Sequence, residues 1–444
     1  MRSVQVLAGL LLVAGASGAM SGPNLSAQVL SGTNGGGVLE SEGTLPKDVL
    51  PDSRNRLPLI RREALDERGR KAYDDAVAAS SPGSRVPQGV GAIRLHGSGV
   101  DVRWASPLGR RLTELAILTT ARELDQPYEW SLHEMEAVAV GLDPAVIDLI
   151  RHHKPLTGVG DKEAAVVQMD REIVGKHKLS SETYARALKL LGESDLIDIV
   201  SLIAQYAGTS ARLTAINQQM PPQMKQFLPL PFTPPDDIHP DSRSRLPLIK
   251  TQTQAPASLY SRELAPTGTG PGQIRLHQAG RKSLETHVGQ RLIGLAILVT
   301  ALEHDQQYDW TMNELTARKD GLEPMIIDIL RDRKPLAGLG DKEAAIIEFG
   351  HELFGKHTVS PETYARALNL FGETDLVDLV DLMAQHSTEA ALLTAYDQHL
   401  PAGQKPLLPP RYTDAPEEPS VHTRTNPVDL SLTRGQPIVN RGFS

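Results

Sequence analysis

Three side chains in the first half of the chain have the types and spacing needed for proton transfer. Glu129 and His133 are four residues apart, so a helix places them on one face, close enough to interact. A carboxylate beside an imidazole orients the ring and tunes its basicity, as in a general acid or base. Glu114 directly precedes the apolar residues 115–118, and an unpaired carboxylate buried in such a stretch is costly. We therefore predict that Glu114 faces His133 across a pair of helices.

The same residues also have simpler interpretations. Glu129 and His133 could form a structural pair on a helix surface, and Glu114 could form a salt bridge with Arg110 or Arg111. A divalent metal is a further alternative, since carboxylate and imidazole groups bind several such ions. The second histidine of a His-Glu-x-x-His motif does not follow His133. We predict that the site uses neither a metal nor a cofactor.

The apolar spacing around these residues predicts helices. Leucines at 108, 112, 115, 118 and 124 mark one helix face, and a second helix containing Trp130 ends near Gly141, a C-cap candidate. Asp143 and Pro144 suit an N-cap and first helical position. Further helices are predicted from Asp161 to about Gly175, from Ser180 onward and over 195–207. No segment alternates convincingly as a strand, so we predict an all-α fold with both Trp130 and Trp310 in its core.

An internal repeat sets the architecture. PDSRNRLPLI at 51–60 recurs as PDSRSRLPLI at 240–249, and GDKEAA at 160–165 recurs at 340–345. The offset falls from 189 residues (240 against 51) to 180 (340 against 160), as expected for one domain-sized duplication with small deletions. At the offset of 180, Glu114 becomes Gly294, Glu129 becomes Asp309 and His133 becomes Asn313. We predict that the second copy is a non-catalytic partner and that the chain mimics a homodimer within one polypeptide.

With these motifs the chain resembles the carboxymuconolactone decarboxylase family of the alkyl-hydroperoxidase-D-like superfamily. The resemblance rests on RLTELAIL at 111–118, YEW at 128–130, His133 and the Gly-Leu pair at 141–142. It covers roughly residues 50–220 and, more weakly, 240–400. It implies an all-helical, commonly oligomeric protein, here two tandem domains fused as a pseudo-dimer, often with a pocket between helices.

The resemblance also implies site residues. The peroxidase branch carries Cys-x-x-Cys-x-x-x-His and an upstream Glu, which fall on Gln126, Glu129, His133 and Glu114. The chain contains no cysteine, so the thiol peroxidase mechanism is excluded, whereas the decarboxylase branch often has the glutamate found at Glu129. Its nominal reaction removes CO2 from an unsaturated lactone acid without a cofactor. We predict acid/base chemistry on a small organic acid or lactone, with a non-catalytic ligand-binding or assembly protein as the alternative.

Three more residues are candidates for substrate binding, namely Arg94, His96 and Tyr128. Arg94 and His96 recur as Arg275 and His277 although the acid/base residues do not recur. Retention in a copy without those groups favours packing or loop anchoring, and substrate contact is the alternative.

Composition and segment boundaries limit the remaining function classes. The net charge of −8 without a long basic run argues against nucleic acid as a partner. Arg2 and the apolar run 4–14 are typical of an export signal, and the run is shorter than the ~20 residues of a membrane span. We therefore expect a periplasmic or secreted protein with a small-molecule substrate, and leave homo-oligomers of the whole chain open. The predicted segments are a signal peptide (1–27), a flexible segment (28–48), a site-bearing domain (49–220), a proline-rich linker (221–239), a second domain (240–400) and an extended tail (401–444).

Overall fold

The computed structural model describes residues 45–59, 61–65, 102–220, 237–249 and 276–409, with a few single residues beside these ranges. Within them the regular structure is helical, and the only strand-like pairings are two isolated bridges, Leu50 with Asn55 and His239 with Ser244. The predicted all-α class is confirmed. The predicted signal peptide and the tail from residue 410 lie outside the described residues, and the predicted domain boundaries stay predictions.

Each repeat, 49–220 and 240–400, forms a series of seven α-helices within its described part. Those of the first repeat are α1 (Val102–Ala105), α2 (Arg110–Glu123), α3 (Pro127–Ala139), α4 (Pro144–Arg151), α5 (Asp161–Asp170), α6 (Ser181–Leu191) and α7 (Glu193–Ala215). Those of the second are α8 (Arg281–His287), α9 (Gln290–Glu303), α10 (Gln307–Lys319), α11 (Pro324–Arg331), α12 (Asp341–Gly355), α13 (Pro361–Phe371) and α14 (Glu373–Ala395).

Local signals fix most helix ends as the sequence predicts. The Asp143 carboxylate accepts a hydrogen bond from the Ala145 backbone N–H at 2.8 Å and caps α4. The Ser180 hydroxyl accepts one from the Thr183 backbone N–H at 3.1 Å and caps α6. Gly141, just beyond the end of α3, has φ +81°, a conformation that glycine adopts without strain. These caps depend on neighbours in sequence, which is why the sequence predicts them.

Two helices differ from their predicted form. The last helix of the first repeat was predicted over 195–207, but α7 continues to Ala215. Its extra turns pack on the second repeat, and Ala211 and Ala215 belong to the second repeat's core. The helix predicted from Asp161 to about Gly175 becomes a π-helical turn over Arg171–Gly175, whereas α12 is continuous in the second repeat.

The two repeats meet along α7 and α14, each 23 residues long. A methyl group added at Gly208 would lie 2.7 Å from the carbonyl oxygen of Ala384, so α14 approaches the α7 backbone because residue 208 has no side chain. An ion pair between Arg212 and Asp381, 2.6 Å, bridges the same two helices. The far end of α14 enters the core of the first repeat through Leu393 and Tyr396.

The repeated segments 51–60 and 240–249 link the two repeats in a reciprocal way. The Arg56 guanidinium donates to the carbonyl oxygens of Ala395, at the end of α14, and Leu179. Arg245 makes the same contacts with Ala215, at the end of α7, and Val359. Carbonyl groups at the end of a helix have no partner within it, and a cation there also offsets the helix dipole. Each arginine thus caps the last helix of the other repeat; we call these contacts the arginine clasps.

Among the residues described, no helix combines the length and apolar character that crossing a membrane requires.

Replacing Gly208 by leucine should separate α7 from α14. Leucine favours helix more than glycine does, yet its side chain must displace the backbone near Ala384, and such overpacking costs about 1–3 kcal/mol. We expect a lower free energy of unfolding by that amount in denaturant titration. The matched control is Gln205→Leu, at an exposed position of the same helix, which should change stability by less than ~0.5 kcal/mol. Equal effects of the two substitutions would contradict the tight crossing.

Candidate functional site

The structure brings Glu114, Glu129 and His133 together between α2 and α3. His133 Nδ1 lies 2.7 Å from Glu114 Oε2, and His133 Nε2 lies 3.1 Å from Glu129 Oε1. All three residues are buried, with exposed fractions of 0 %, 5 % and 4 % in the order named. Glu114 does face His133 across the helix pair, and Glu129 and His133 share one face of α3. One imidazole is therefore held between two carboxylates.

Two arginines hold the other side of Glu114. Arg103 Nε donates to Glu114 Oε1 at 2.8 Å, and an Arg110 amino group donates to the same oxygen at 2.6 Å. Arg110 also contacts Glu136 at 2.9 Å, and its guanidinium lies 3.8 Å from the centre of the Trp104 ring. The salt bridge between Glu114 and Arg110 that the sequence offered as an alternative is present together with the histidine contact.

Charge explains the protonation of this cluster. Burial acts to raise the pKa of Glu114, but His133, Arg103 and Arg110 outweigh it and lower that pKa to about 2. Burial and the charge of Arg103 act to lower the pKa of His133, yet Glu114 and the hydrogen bond to Glu129 raise it above its usual value. These shifts favour an imidazolium that donates one hydrogen bond to each carboxylate.

The geometry limits what the cluster can do. Both ring nitrogens of His133 are engaged, so the ring can exchange a proton with a substrate only if one carboxylate moves aside. The contact with Glu129 is the longer of the two, and Glu129 lacks the arginine partners that fix Glu114. Because the two carboxylates contact opposite nitrogens of the ring, the three side chains do not converge on one point as metal ligands would.

The structure adds a residue that the sequence analysis missed. Tyr206, on α7, packs its ring edge-on against the His133 imidazole, with centroids 5.1 Å apart and planes at 89°. Burial raises the pKa of Tyr206, against the effect of the nearby Arg103, so the phenol is neutral. The internal repeat could have pointed to Tyr206, because its counterpart 180 positions later is His386.

The substrate-binding candidates have different outcomes. Tyr128 is buried in a small apolar cluster with Leu132 and Leu213. Arg94 and His96 lie outside the described residues. His277, the counterpart of His96, contacts Glu373 at 2.6 Å and the Pro247 carbonyl oxygen at 2.9 Å, which are anchoring contacts.

A second network is the same in both repeats. Trp130 and Trp310 are fully buried, as predicted. Their indole N–H groups donate to Glu134 and Glu314, at 2.6 Å and 2.7 Å. The arginines on the following helices, at 151 and 331, pair with these glutamates. Since the network persists where the His133 cluster does not, it serves packing.

The second repeat carries a different cluster at the corresponding position. A side chain on Gly294 would collide with α10, because an added methyl group would lie 2.8 Å from the Ala317 Cβ. Asp309 instead contacts His386 of α14, with Oδ2 and Nδ1 3.2 Å apart, and Glu389 lies one turn further on. Comparison position by position missed this cluster because its histidine comes from a different helix. The second repeat thus has its own set of acid/base side chains.

The imidazolium should make stability depend on pH. A folded-state pKa above the unfolded value of about 6.5 stabilises the protein below that pH, and the contribution disappears as pH rises through the folded-state pKa. We expect the free energy of unfolding of wild type relative to His133→Asn to fall as the pH rises above about 6.5, by at most about 1.4 kcal/mol per pH unit. Urea titrations at several pH values measure this. The control, His152→Asn at an exposed histidine, should follow wild type, and parallel curves for wild type and His133→Asn would contradict the assignment.

Comparison of the chain with protein-family models, with curated proteins and with solved structures finds no match.

Proposed function

We propose that the first repeat is a cofactor-free acid/base site of the carboxymuconolactone-decarboxylase type, which protonates a carbanion formed from a small organic acid or lactone. The observation that carries the proposal is the buried imidazole of His133 between Glu114 and Glu129, at 2.7 Å and 3.1 Å. A raised pKa favours the protonated form of this ring, which suits a proton donor. Loss of CO2 from a carboxylate leaves an electron pair on carbon, and that carbon needs a proton.

The contacts suggest a role for each residue. Glu114, fixed by two arginines, holds the Nδ1 side of the ring and positions His133. Substrate takes the place of Glu129 at Nε2, and His133 donates the Nε2 proton to the carbon as the bond to CO2 breaks. The substrate carboxylate and one proton thus become product and CO2, and water returns a proton to His133 through Glu129. His133 is the catalytic residue in this scheme, and Glu114 is a positioning residue.

A second function is favoured by the closure of the same site. Three cationic groups (Arg103, Arg110 and His133) face three carboxylates (Glu114, Glu129 and Glu136), so the charges of the cluster balance when the imidazole is protonated. Such a network stabilises a binding or assembly protein without any reaction. In that case substitutions would change stability or ligand affinity and no product would form.

The two functions are separated by a screen followed by an assay for product. Wild type and His133→Asn are first compared by thermal shift against small organic acids and lactones, because a ligand that binds the native state raises the melting temperature. Ligands that stabilise wild type are then incubated with protein, and CO2 and product are measured.

We expect at least one such ligand to be consumed. We expect His133→Asn to release CO2 about 100- to 10,000-fold more slowly than wild type, the usual range for removing a general acid. His152→Asn should keep the wild-type rate. For Glu114→Gln we expect a smaller loss and a shifted pH profile of kcat, because the ring loses its ionic partner. Turnover at the full rate in His133→Asn would rule out the proton-donor role, and binding without turnover would favour the second function.

A further inference from the structure

The second repeat brings three potential metal ligands to one point. Asp309 is on α10, while His386 and Glu389 are one turn apart on α14. One donor atom from each lies within 4.8 Å of the others, and His386 Nδ1 is 3.2 Å from Asp309 Oδ2 and 4.0 Å from Glu389 Oε2. Metal–ligand bonds of about 2.0–2.2 Å place neighbouring ligand atoms roughly 3–3.5 Å apart. Small side-chain rotations therefore suffice for all three to bind one ion.

A hydrogen bond fixes the orientation of the carboxylate in this cluster. Asn313 Nδ2 donates to Asp309 Oδ1 at 2.6 Å and leaves Oδ2 facing the imidazole of His386. Partners of this kind, outside the direct ligands, hold ligands in place at metal sites. Asn313 occupies the position that His133 has in the first repeat. The second repeat therefore lacks that imidazole, and the asparagine in its place holds the Asp309 carboxylate that contacts His386.

Charge distinguishes the two repeats at this location. In the first repeat Arg103 and Arg110 supply positive charge to Glu114, and position 290, the counterpart of Arg110, is glutamine. Arg281 of α8, whose charge acts on His386, is paired with Glu285 at 2.8 Å. Burial acts to lower the pKa of His386, but Asp309 and Glu389 outweigh it and raise that pKa. Burial together with Asp309 raises the pKa of Glu389 to about 7. The cluster thus attracts positive charge, and a divalent cation would take the place of these protons.

The cluster is also open to solvent on one side. Asp309 and His386 are buried, but the Glu389 side chain is 35 % exposed. An ion can enter from this side, and water can occupy the coordination positions that the protein leaves free. Three protein ligands with open positions are typical of exchangeable or catalytic sites rather than closed structural ones.

We propose that Asp309, His386 and Glu389 bind one divalent transition-metal ion. Imidazole together with carboxylates suits Zn²⁺, Mn²⁺, Fe²⁺ or Co²⁺, whereas Mg²⁺ and Ca²⁺ prefer oxygen ligands alone. This site is separate from the proton-transfer site of the first repeat, and its test needs no substrate.

Calorimetric titration of untagged, EDTA-treated and dialysed full-length protein with Zn²⁺ and Co²⁺ tests the proposal. We expect one site per chain in wild type and at least ~100-fold weaker binding in His386→Tyr and Glu389→Thr, since each removes a direct ligand. These variants carry the residues that the first repeat has at the same positions, Tyr206 and Thr209. Asn313→Ala should weaken binding by about 10- to 100-fold, and His152→Asn should bind as wild type.

Circular dichroism checks that each variant is folded. If His386→Tyr does not fold, Glu389→Thr tests the metal site alone, because Glu389 is partly exposed and its replacement disturbs the core less. The visible absorption of bound Co²⁺ reports its ligands and should change in Glu389→Thr. The absence of a stoichiometric site in wild type, or a site that keeps its affinity in Glu389→Thr, overturns the proposal.

Discussion

The close crossing of α7 and α14 is the contact on which the other features of the described structure depend. At Gly208 the two helices approach so nearly that a side chain would meet the backbone of α14, and the tight fit lets the end of each helix reach the core of the other repeat. The arginine clasps then bind the carbonyl groups exposed at those ends. The same helices also supply one wall of each side-chain cluster, through Tyr206 and His386, so the inter-repeat contact and the two candidate sites share their supports.

The two clusters show how one helical framework accommodates different charge arrangements. In the first repeat a glutamate in the middle of α2 is stable because two arginines and an imidazolium surround it. In the second repeat a Cβ at Gly294 of α9 would lie 2.8 Å from the Ala317 Cβ of α10, so a glutamate does not fit there without a shift of the helices. The acidic groups come instead from Asp309 and Glu389, and the imidazole comes from α14. The same position is thus a buried carboxylate in one repeat and a close backbone contact in the other, and different residues form the two clusters.

The parts of this structure that the sequence predicts are those with a local or periodic signal. Capping by Asp143 and Ser180, the burial of Trp130 and the shared face of Glu129 and His133 all follow from residues within one or two helical turns. The pairing of Glu114 with His133 was predictable because a buried carboxylate in an apolar helix requires a partner. Arg103, Tyr206 and the Asp309–His386–Glu389 cluster depend on which helices pack together, and no spacing in the sequence encodes that. The true end of α7 was missed for the same reason, because its last turns are stabilised by the other repeat.

The arginine clasps look alike in space but differ greatly along the chain. Arg245 reaches back only 30 residues to Ala215, whereas Arg56 and Ala395 are separated by 339. Because closing a longer loop costs more entropy and delays contact formation, the clasp on α7 can form while synthesis is still under way. The clasp on α14 cannot form until residue 395 has left the ribosome, so it joins segments made far apart in time.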